Sequence, residues 1–253
     1  MKFVVFKKKV FLIVSLLLLV IILSSMTVGI VSATSKEKRL LPIYSVDRSD
    51  KKIAISFDCA WGADYTENLL SIMKEKGVKC TFFAVSFWVE KYPELVKKIV
   101  DMGHEMGTHS KTHPHMSKLS SDKIREELVY SMNAIEKITN KKVEVFRPPF
   151  GDYSNDVISV AKSLNLFTIQ WDVDSLDWKN LSANEIYDRV IKKVKNGSIV
   201  LFHNNGLHTE KALPKILDKL LNDGFEFTTI SELIYKDNYF IDTNGRQFAV
   251  KNS

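Results

Sequence analysis

The chain has 253 residues, enough for one domain of about 200 residues with a sizeable core but not for a second full domain. Its formal net charge of +6 would fit a nucleic-acid-binding protein if the charge were spread along the chain. It is not, because residues 1–39 carry seven basic residues and one acidic residue, which leaves 29 of each in the remainder. This neutral body argues against a nucleic-acid partner.

The N-terminus has the pattern of an export signal. Three lysines at positions 7–9 precede residues 10–35, which contain no charged side chain. The strongly apolar part, residues 10–23, has the length of a signal-peptide hydrophobic region, and residues 31–33 (Val-Ser-Ala) resemble a cleavage site. The whole uncharged run is also long enough to span a bilayer as a tilted helix. Both a cleaved signal and a retained anchor fit the pattern, and either places the bulk of the protein outside the cytoplasmic membrane.

From Lys52 onward, short apolar runs alternate with amphipathic helical segments, which is the pattern of β/α units. Some helix ends are recognisable: Ser182 and Glu185 have capping-box spacing, and Gly77 follows an apolar helical stripe. Seven parallel strands joined by helices fit an α/β fold, either an open doubly wound sheet or a closed, irregular barrel. The runs predicted as strands are 53–57, 79–85, 105–108, 143–146, 166–171, 199–202 and 225–230.

These patterns predict four segments. Residues 1–35 form the signal peptide or anchor, 36–49 a linker, 50–235 the folded domain, and 236–253 a polar tail. The two cysteines of the domain allow one disulfide, but separate buried thiols are the expectation in strand-like surroundings.

Ionisable residues directly follow five of the predicted strands. Because the carboxyl ends of parallel strands gather at one end of either architecture, these side chains are expected to share a site. Scattered surface charges would have little reason to recur at that position. The five residues are Asp58, His109, Arg147, Asp172 and His203.

His109 and His113 are four residues apart, which places both rings on one side if the segment is helical. A two-histidine metal pair requires that arrangement, and an acidic or thiolate third ligand would complete it. A divalent cation in such a site lowers the pKa of bound water and polarises a carbonyl oxygen. The alternative is a polar loop whose histidines face water.

Hydrolysis also needs a base for the water proton and an acid for the leaving nitrogen. Asp58 suits the base, and Arg147, between rigid proline neighbours, could hold that carboxylate through a bidentate contact. His203 is a candidate for a second acid–base group, and Asp177 could orient its imidazole and stabilise its charged form. In isolation, a strand-capping aspartate remains the alternative for Asp58 and a packed core histidine for His203.

Five segments together resemble, in order and spacing, the motifs of the polysaccharide deacetylase (NodB-homology) family of carbohydrate esterases. They are SFDCAWG, HSKTH, RPPFG, DSLDW and LFH, within about residues 50–235. The resemblance implies a deformed (β/α) barrel of about seven parallel strands and divalent-metal-dependent hydrolysis of acetamido groups on peptidoglycan or chitin-like glycans. Zinc is the expected metal, with cobalt, manganese and nickel as alternatives.

The resemblance also implies a role for each matching residue. Asp58 is the catalytic base tethered by Arg147, and His203 is the acid oriented by Asp177. The remaining assignments are His109 and His113 as metal ligands, Trp178 and Leu201 as the pocket for the acetyl methyl group, and the backbone N–H of Phe150 as an oxyanion donor.

Cys59 departs from the family pattern, which usually has a metal-binding aspartate at this position. A Cys59 thiolate could bind the metal and favour zinc. Alternatively, water or a carboxylate such as Asp64 fills the position, or the metal binds weakly. In a fourth case no metal binds at all, and the domain is a glycan-binding relic.

The sequence therefore predicts a polysaccharide N-deacetylase that acts on N-acetylglucosamine or N-acetylmuramic acid residues of the cell wall. A catalytically impaired glycan-binding wall protein and an O-deacetylase are the competing hypotheses. HPHMSKLS and the single membrane-directed N-terminus most resemble the sporulation-type, PdaB-like subgroup. The expected location is extracytoplasmic, secreted or membrane-anchored and spore-associated, with membrane contact through an uncleaved N-terminus.

Overall fold

The computed structural model describes residues 11, 13–20 and 38–250. The chain divides into two compact units, residues 1–39 and 40–253. In the first unit, residues 13–20 are helical, and no helix among the described residues is long and apolar enough to cross a membrane. Most of the predicted signal or anchor segment lies outside the described residues.

The second unit contains a parallel sheet with helices around it. The strands are β1 (Ser45–Val46), β2 (Lys52–Cys59), β3 (Thr81–Ala84), β4 (Glu105–Thr108), β5 (Val145–Phe146), β6 (Phe167–Thr168), β7 (Val173–Asp174), β8 (Ile199–His203), β9 (Glu226–Phe227), β10 (Tyr239–Ile241) and β11 (Arg246–Ala249). The order in the parallel sheet is β6-β5-β4-β3-β2-β8-β7. This is the predicted deformed (β/α) barrel, and each predicted run contains a strand. The seven-strand path nevertheless includes the short β7, which was not predicted, while β9 pairs with the start of β2.

Helix boundaries follow local chemistry. Pro93 occupies the first turn of its helix, where its missing N–H needs no partner. The predicted capping box is confirmed, because Ser182 and Glu185 satisfy each other's backbone donors. Gly77 ends its helix with a φ of 65°. The helices are Thr66–Lys76, Ser86–Lys91, Pro93–Asp101, Ser121–Thr139, Asn155–Ser163, Ala183–Ile191, Thr209–Asn222 and Ile230–Leu233.

Successive side chains of β2 point to opposite faces of the sheet and belong to two different apolar clusters. Phe57 and Cys59 belong to the large apolar cluster between the sheet and the helices, whereas Ala54 belongs to a smaller cluster on the other face of the sheet. Because successive side chains of a strand point to opposite faces, Asp58 lies on the face of Ala54 and opposite to Cys59. Both cysteines are buried and free, which confirms the expectation of separate thiols.

A small second sheet, β1-β11-β10, contains both ends of the described domain. β1 pairs in parallel with β11, and Gln247 on β11 is fully buried, with its side-chain amide bonded to the backbone of Tyr235 in both directions. Ile43 forms a bridge to Ile169 beyond β6. These strands fall within residues 36–49 and 236–253, the segments predicted to be a linker and a polar tail.

Candidate active site

A cavity of about 690 Å³ opens at the carboxyl ends of the parallel strands. It brings together the predicted base, acid and histidine pair with the three residues predicted to contact substrate. Arg147 and Asp177 are fully buried and contact lining residues. The predicted residues that line the cavity are Asp58, His109, His113, Phe150, Trp178, Leu201 and His203.

Arg147 and Asp58 form a buried ion pair. The Arg147 Nη1 atom donates to Asp58 Oδ1 at 2.8 Å, and Nη2 donates to the carbonyl oxygen of Gln170 at 3.2 Å. The guanidinium lies between the rings of Phe83 and Trp171, 4.2 and 5.5 Å from their centroids. The predicted bidentate contact is therefore wrong, because the second nitrogen binds a backbone carbonyl and leaves the other oxygen of Asp58 directed elsewhere.

The charge of Arg147 keeps Asp58 ionised. Burial alone would raise the pKa of Asp58, but Arg147, with smaller contributions from His109 and His203, lowers it below its ordinary value. The free oxygen, Oδ2, lies 3.7 Å from His109 Nε2. Asp58 is thus a carboxylate at neutral pH with one oxygen available inside the cavity.

The histidine pair is held by a loop and not by a helix. Ser110 and His113 both have left-handed backbone angles, with φ of 73° and 61°. Glu127 fixes the loop, because its carboxylate accepts from the backbone N–H groups of Lys111 and Thr112 at 2.9 and 2.8 Å. The ring centroids of the two histidines nevertheless lie 4.9 Å apart. The prediction of neighbouring rings holds, but its helical reason is wrong.

Both imidazoles are poised to be neutral. His109 donates through Nδ1 to the carbonyl oxygen of Arg147 at 2.8 Å, which leaves Nε2 facing Asp58. Burial lowers the pKa of His109, and burial together with His109 lowers the pKa of His113 to about 4. Neutral imidazole is the form that binds metal ions.

Asp177 accepts two hydrogen bonds from His203. Its Oδ1 accepts from His203 Nδ1 at 2.8 Å, and its Oδ2 accepts from the backbone N–H of His203 at 2.8 Å. Burial opposes protonation of His203, but the hydrogen bond and charge of Asp177 outweigh it and raise the pKa of His203. His203 is therefore held with Nε2 free and a strengthened tendency to carry a proton.

Thr209 and Gly206 complete this pair, and neither was predicted from the sequence. Thr209 donates its hydroxyl to Asp177 Oδ2 at 2.7 Å. A Cβ atom at Gly206 would come within 2.2 Å of Thr209 Oγ1 and 2.7 Å of Asp177 Oδ2. Only glycine fits there, and its position three residues after the LFH motif was the available signal.

The walls of the cavity are largely apolar. Leu201 is on the same face of β8 as His203 and is almost fully buried. Trp178 and Phe150 are more than half exposed, and Phe150 has a left-handed backbone with φ of 60°. These positions are compatible with a small methyl pocket beside an open rim.

Cys59 is not part of the cavity wall. Its side chain is fully buried in the apolar cluster, with Sγ 3.8 Å from the carbonyl oxygen of Phe57, and burial raises the pKa of its thiol well above the ordinary value. Thiolate coordination requires the opposite shift. The structure therefore does not bring Cys59 to His109 and His113.

Within the part of the chain that the structure describes, the protein side chains do not form a complete metal-ligand set. Among the described residues, no group of three or more histidine, cysteine, aspartate or glutamate side chains is placed to hold a metal ion. His109 and His113 fit two positions of such a site, but a third protein ligand is missing. Asp64, considered above as a substitute, is exposed and does not line the cavity.

Asp172 also lies away from the cavity, so its predicted membership of the shared site is wrong. Its carboxylate accepts from the Ser198 hydroxyl and the Ile199 backbone N–H, both at 2.9 Å. These contacts are at the amino end of β8, opposite to His203. Asp174, two residues later, lines the cavity instead.

Residues 45–169 match the family model of polysaccharide deacetylases. A peptidoglycan-N-acetylglucosamine deacetylase of Bacillus cereus is 34% identical over 196 residues, covering 76% of this chain and 92% of that protein. The chain belongs to the polysaccharide deacetylase family. The uncharacterized protein YlxY of Bacillus subtilis is also 34% identical, but the chain spans only 60% of its length.

Solved structures of a pseudoenzyme and of its mutant are similar to this polysaccharide deacetylase domain. A pseudoenzyme of carbohydrate esterase family 4 from Bacillus anthracis is 37% identical, with a TM-score of 0.74 over 82% of this chain and 72% of that chain. A mutant of that protein, described as having restored enzymatic activity, is 39% identical with the same TM-score, over 78% of this chain and 71% of that chain.

Proposed function

We propose that the chain removes N-acetyl groups from a cell-wall polysaccharide, with peptidoglycan as the substrate. The observation that carries this proposal is that one cavity contains a carboxylate with a lowered pKa and an imidazole with a raised pKa. Asp58 is kept ionised by Arg147, and His203 is kept ready for protonation by Asp177. Amide hydrolysis requires such a base and acid within reach of one reacting group.

Each residue of the cavity then has a defined task. Asp58 accepts the proton of the attacking water, and His203 gives a proton to the leaving nitrogen. Leu201 and Trp178 receive the acetyl methyl group, and the N–H of Phe150 donates to the developing oxyanion. These groups contact only the acetyl unit, so the same residues would also serve the hydrolysis of an O-linked acetyl group. Acetate release from N-acetylglucosamine oligomers, which carry only N-linked acetyl groups, separates the two activities.

The sugar is proposed from the relatives. The Bacillus cereus protein named as a peptidoglycan-N-acetylglucosamine deacetylase is covered almost over its whole length. N-acetylglucosamine is therefore the first substrate to test, and N-acetylmuramic acid the second. An extracytoplasmic, spore-associated location agrees with this substrate and is tested by fractionating sporulating cells.

We further propose that a divalent cation binds at His109 and His113, with zinc as the expected metal. When bound, such a cation activates water and polarises the acetyl carbonyl. Both imidazoles have the neutral form that ligation needs. With only two protein ligands, affinity is expected to be low, so cobalt, manganese and nickel are included in the assay.

A glycan-binding protein without catalysis is the second candidate. Two observations favour it: Cys59 is buried outside the cavity, and a structural relative at 37% identity is a pseudoenzyme. In this reading the cavity holds a glycan that is not cleaved. The acid–base pairs would then be structural remnants.

Acetate release from peptidoglycan and from N-acetylglucosamine oligomers separates the two candidates. The full chain is assayed with each metal, beside His203→Ala and an exposed control, Asp188→Asn. Metal-stimulated acetate release that disappears in His203→Ala supports the deacetylase. Glycan binding without acetate release at saturating metal supports the binding protein.

A further inference from the structure

We infer that Gln170 is a positioning residue that holds the oxyanion turn in the direction the reaction needs. The oxyanion turn is Pro149–Gly151, whose Phe150 N–H is proposed to donate to the developing oxyanion. Gln170 lies outside the cavity, so it acts through the residues that it holds. This inference rests on the proposed function, because it takes the Phe150 N–H to be the oxyanion donor.

Gln170 contacts both ends of the RPPFG motif. Its backbone carbonyl oxygen accepts from Arg147 Nη2 at 3.2 Å. Its side-chain Nε2 donates to the carbonyl oxygen of Gly151 at 2.9 Å. Arg147 is the first residue of the motif and Gly151 the last. One residue therefore holds both the guanidinium that tethers Asp58 and the end of the oxyanion turn.

The backbone of Gln170 is itself fixed. Gln170 is 2% exposed, and its N–H donates to the carbonyl oxygen of Ile43 at 2.7 Å. With its N–H and its carbonyl both bonded, the residue cannot shift without losing a hydrogen bond. An unpaired amide at this buried position would be costly, which favours the bond to Gly151.

The oxyanion turn needs a contact of this kind. Phe150 and Gly151 both have left-handed backbone angles, with φ of 60° and 67°. For a residue other than glycine this conformation is unfavourable and persists where surrounding contacts enforce it. The Phe150 ring is 60% exposed, so burial of that side chain does not enforce it. The bond from Gln170 to the adjacent Gly151 does.

The other contacts of the oxyanion turn are local or exposed. Gly151 and Asp152 donate their N–H groups to the carbonyl oxygens of Pro148 and Pro149 at 3.1 and 3.0 Å, which shapes the turn but does not orient it against the sheet. Ser117 donates to Asp152 at the surface. Gln170 also packs closely on the turn, since a Cβ atom at Gly151 would come within 3.2 Å of its Oε1.

A change in this turn would appear in the transition state. Releasing the Gly151 carbonyl lets the backbone angles of Phe150 and Gly151 relax, which rotates the Phe150 N–H away from the oxyanion. The negative charge on that oxygen develops as the reaction proceeds, so a misdirected donor slows the chemical step more than it weakens substrate binding.

The test is Gln170→Met, which keeps the length of the side chain but cannot donate to Gly151. Gln247→Met is the matched control, because Gln247 is also buried and donates its amide to a backbone carbonyl, that of Tyr235, at 2.7 Å in the small sheet. With the full chain, kcat and KM are measured for acetate release from N-acetylglucosamine oligomers. Amide hydrogen exchange of Gly151 and Asp152 is followed by NMR.

We expect Gln170→Met to lower kcat by on the order of tenfold while KM stays near the parental value. Exchange at Gly151 and Asp152 should become faster. The contact with Arg147 is made by the backbone of Gln170 and remains, so the acid limb of the pH profile should not move. Gln247→Met should keep the parental kcat and the parental exchange at the turn, even where it lowers thermal stability.

Gln170→Glu is a second test, and it decides the question if Gln170→Met does not fold. A protonated carboxyl group can donate to the Gly151 carbonyl oxygen, whereas a carboxylate can only accept. Activity relative to the parent should therefore be higher in acid and fall as the new carboxyl group ionises. A side chain that only fills space would not produce this dependence on pH.

The inference is overturned if Gln170→Met keeps the parental kcat and the parental exchange at the turn, or if Gln247→Met lowers kcat equally. It is also overturned if the relative activity of Gln170→Glu does not change with pH. A parent that releases no acetate contradicts the proposed function, and the exchange rates then decide the positioning role. Faster exchange at the turn in Gln170→Met alone supports it, and equal exchange in both variants overturns it.

Discussion

Asp58 and His203 are register partners on neighbouring parallel strands, β2 and β8. Their side chains enter the same cavity, and each is backed by an oppositely charged group, Arg147 or Asp177. The two backing residues are fully buried and therefore poorly screened by solvent. The sheet thus places an ionised carboxylate beside a protonation-prone imidazole without using flexible loops for either.

Replacing Asp177 by asparagine should shift the pH dependence of deacetylation. Asp177 raises the pKa of His203 against the opposing effect of burial, so its removal lets that pKa fall. The acid form of His203 is then lost at lower pH, and the alkaline limb of activity should move down by on the order of one pH unit. Activity against pH is measured beside the surface control Asp188→Asn, which should keep the parental profile.

The same substitution should lower the free energy of unfolding by an amount that depends on pH. A histidine whose pKa is raised in the folded state stabilises the fold fully below its unfolded pKa of about 6.5 and loses that contribution as pH rises through the folded value. The difference in unfolding free energy between parent and Asp177→Asn should therefore be largest in mild acid and shrink at alkaline pH. A difference that grows with pH would contradict this assignment.

Replacing Arg147 by methionine should both destabilise the protein and protonate Asp58 at higher pH. Removing one partner of a buried ion pair leaves an unpaired charge, which typically costs about 3–5 kcal/mol. Burial then raises the pKa of Asp58 without opposition from Arg147, so the acid limb of activity should move to higher pH. Urea unfolding and a pH–activity profile measure the two effects.

Arg246→Met is the control for this variant. Arg246 and Asp47 form an ion pair at 2.8 Å, with their side chains 30% and 50% exposed. Loss of such a surface pair should cost about 1 kcal/mol or less. Equal destabilisation by the two substitutions would show that the burial of Arg147 does not have the effect assigned to it.

Changing Cys59 to aspartate should create zinc-dependent stability. An unpaired carboxylate in the apolar layer around Phe57 is costly, so we expect it to turn at the end of β2 toward His109 and His113 and share a cation with them. Without zinc the variant should unfold more easily than the parent. Saturating zinc should restore on the order of 3 kcal/mol at one hundred times the dissociation constant.

Cys59→Ala controls for loss of the thiol alone. It lacks a ligand, so its midpoint of thermal unfolding should not respond to zinc beyond the parental response. Bound zinc is counted after gel filtration for all three proteins. If Cys59→Asp binds no more zinc than Cys59→Ala, position 59 is not a ligand position in this chain.

The sequence predicted the residues of the site better than the reasons for their positions. Alternating apolar residues in β2 already separate Asp58 from Cys59, because neighbouring side chains point to opposite faces of a strand. Asp172 was misplaced because β7 has only two residues, too few to produce a pattern, and the chain reaches the cavity at Asp174.

Contacts between residues far apart in the sequence could not be predicted from sequence patterns. Thr209 reaches Asp177 from 32 positions away, and Gln247 in the predicted tail bonds to the backbone of Tyr235. Such pairs depend on how the loops and the small sheet fold over the barrel. Neither periodicity nor a short motif records that geometry.

Glu127 gives the most selective test of the histidine loop. Its carboxylate accepts from the N–H groups of Lys111 and Thr112 and from the Thr112 hydroxyl, which fixes the left-handed turn that ends at His113. Glu127→Ala should release that turn, displace the His113 ring and lower cobalt or zinc affinity by about tenfold or more, as outer contacts of metal ligands typically do. The fold should remain, because Glu127 is only partly buried on its helix.

Glu126→Ala is the matched control. Glu126 is the preceding residue of the same helix and pairs with Lys123 and Lys111 at the surface, without touching the loop backbone. Metal titration followed by cobalt absorbance, together with acetate release, should separate the two variants. Equal metal affinities in Glu127→Ala and Glu126→Ala would mean that the loop keeps its shape by other contacts, and that the carboxylate of Glu127 does not position His113.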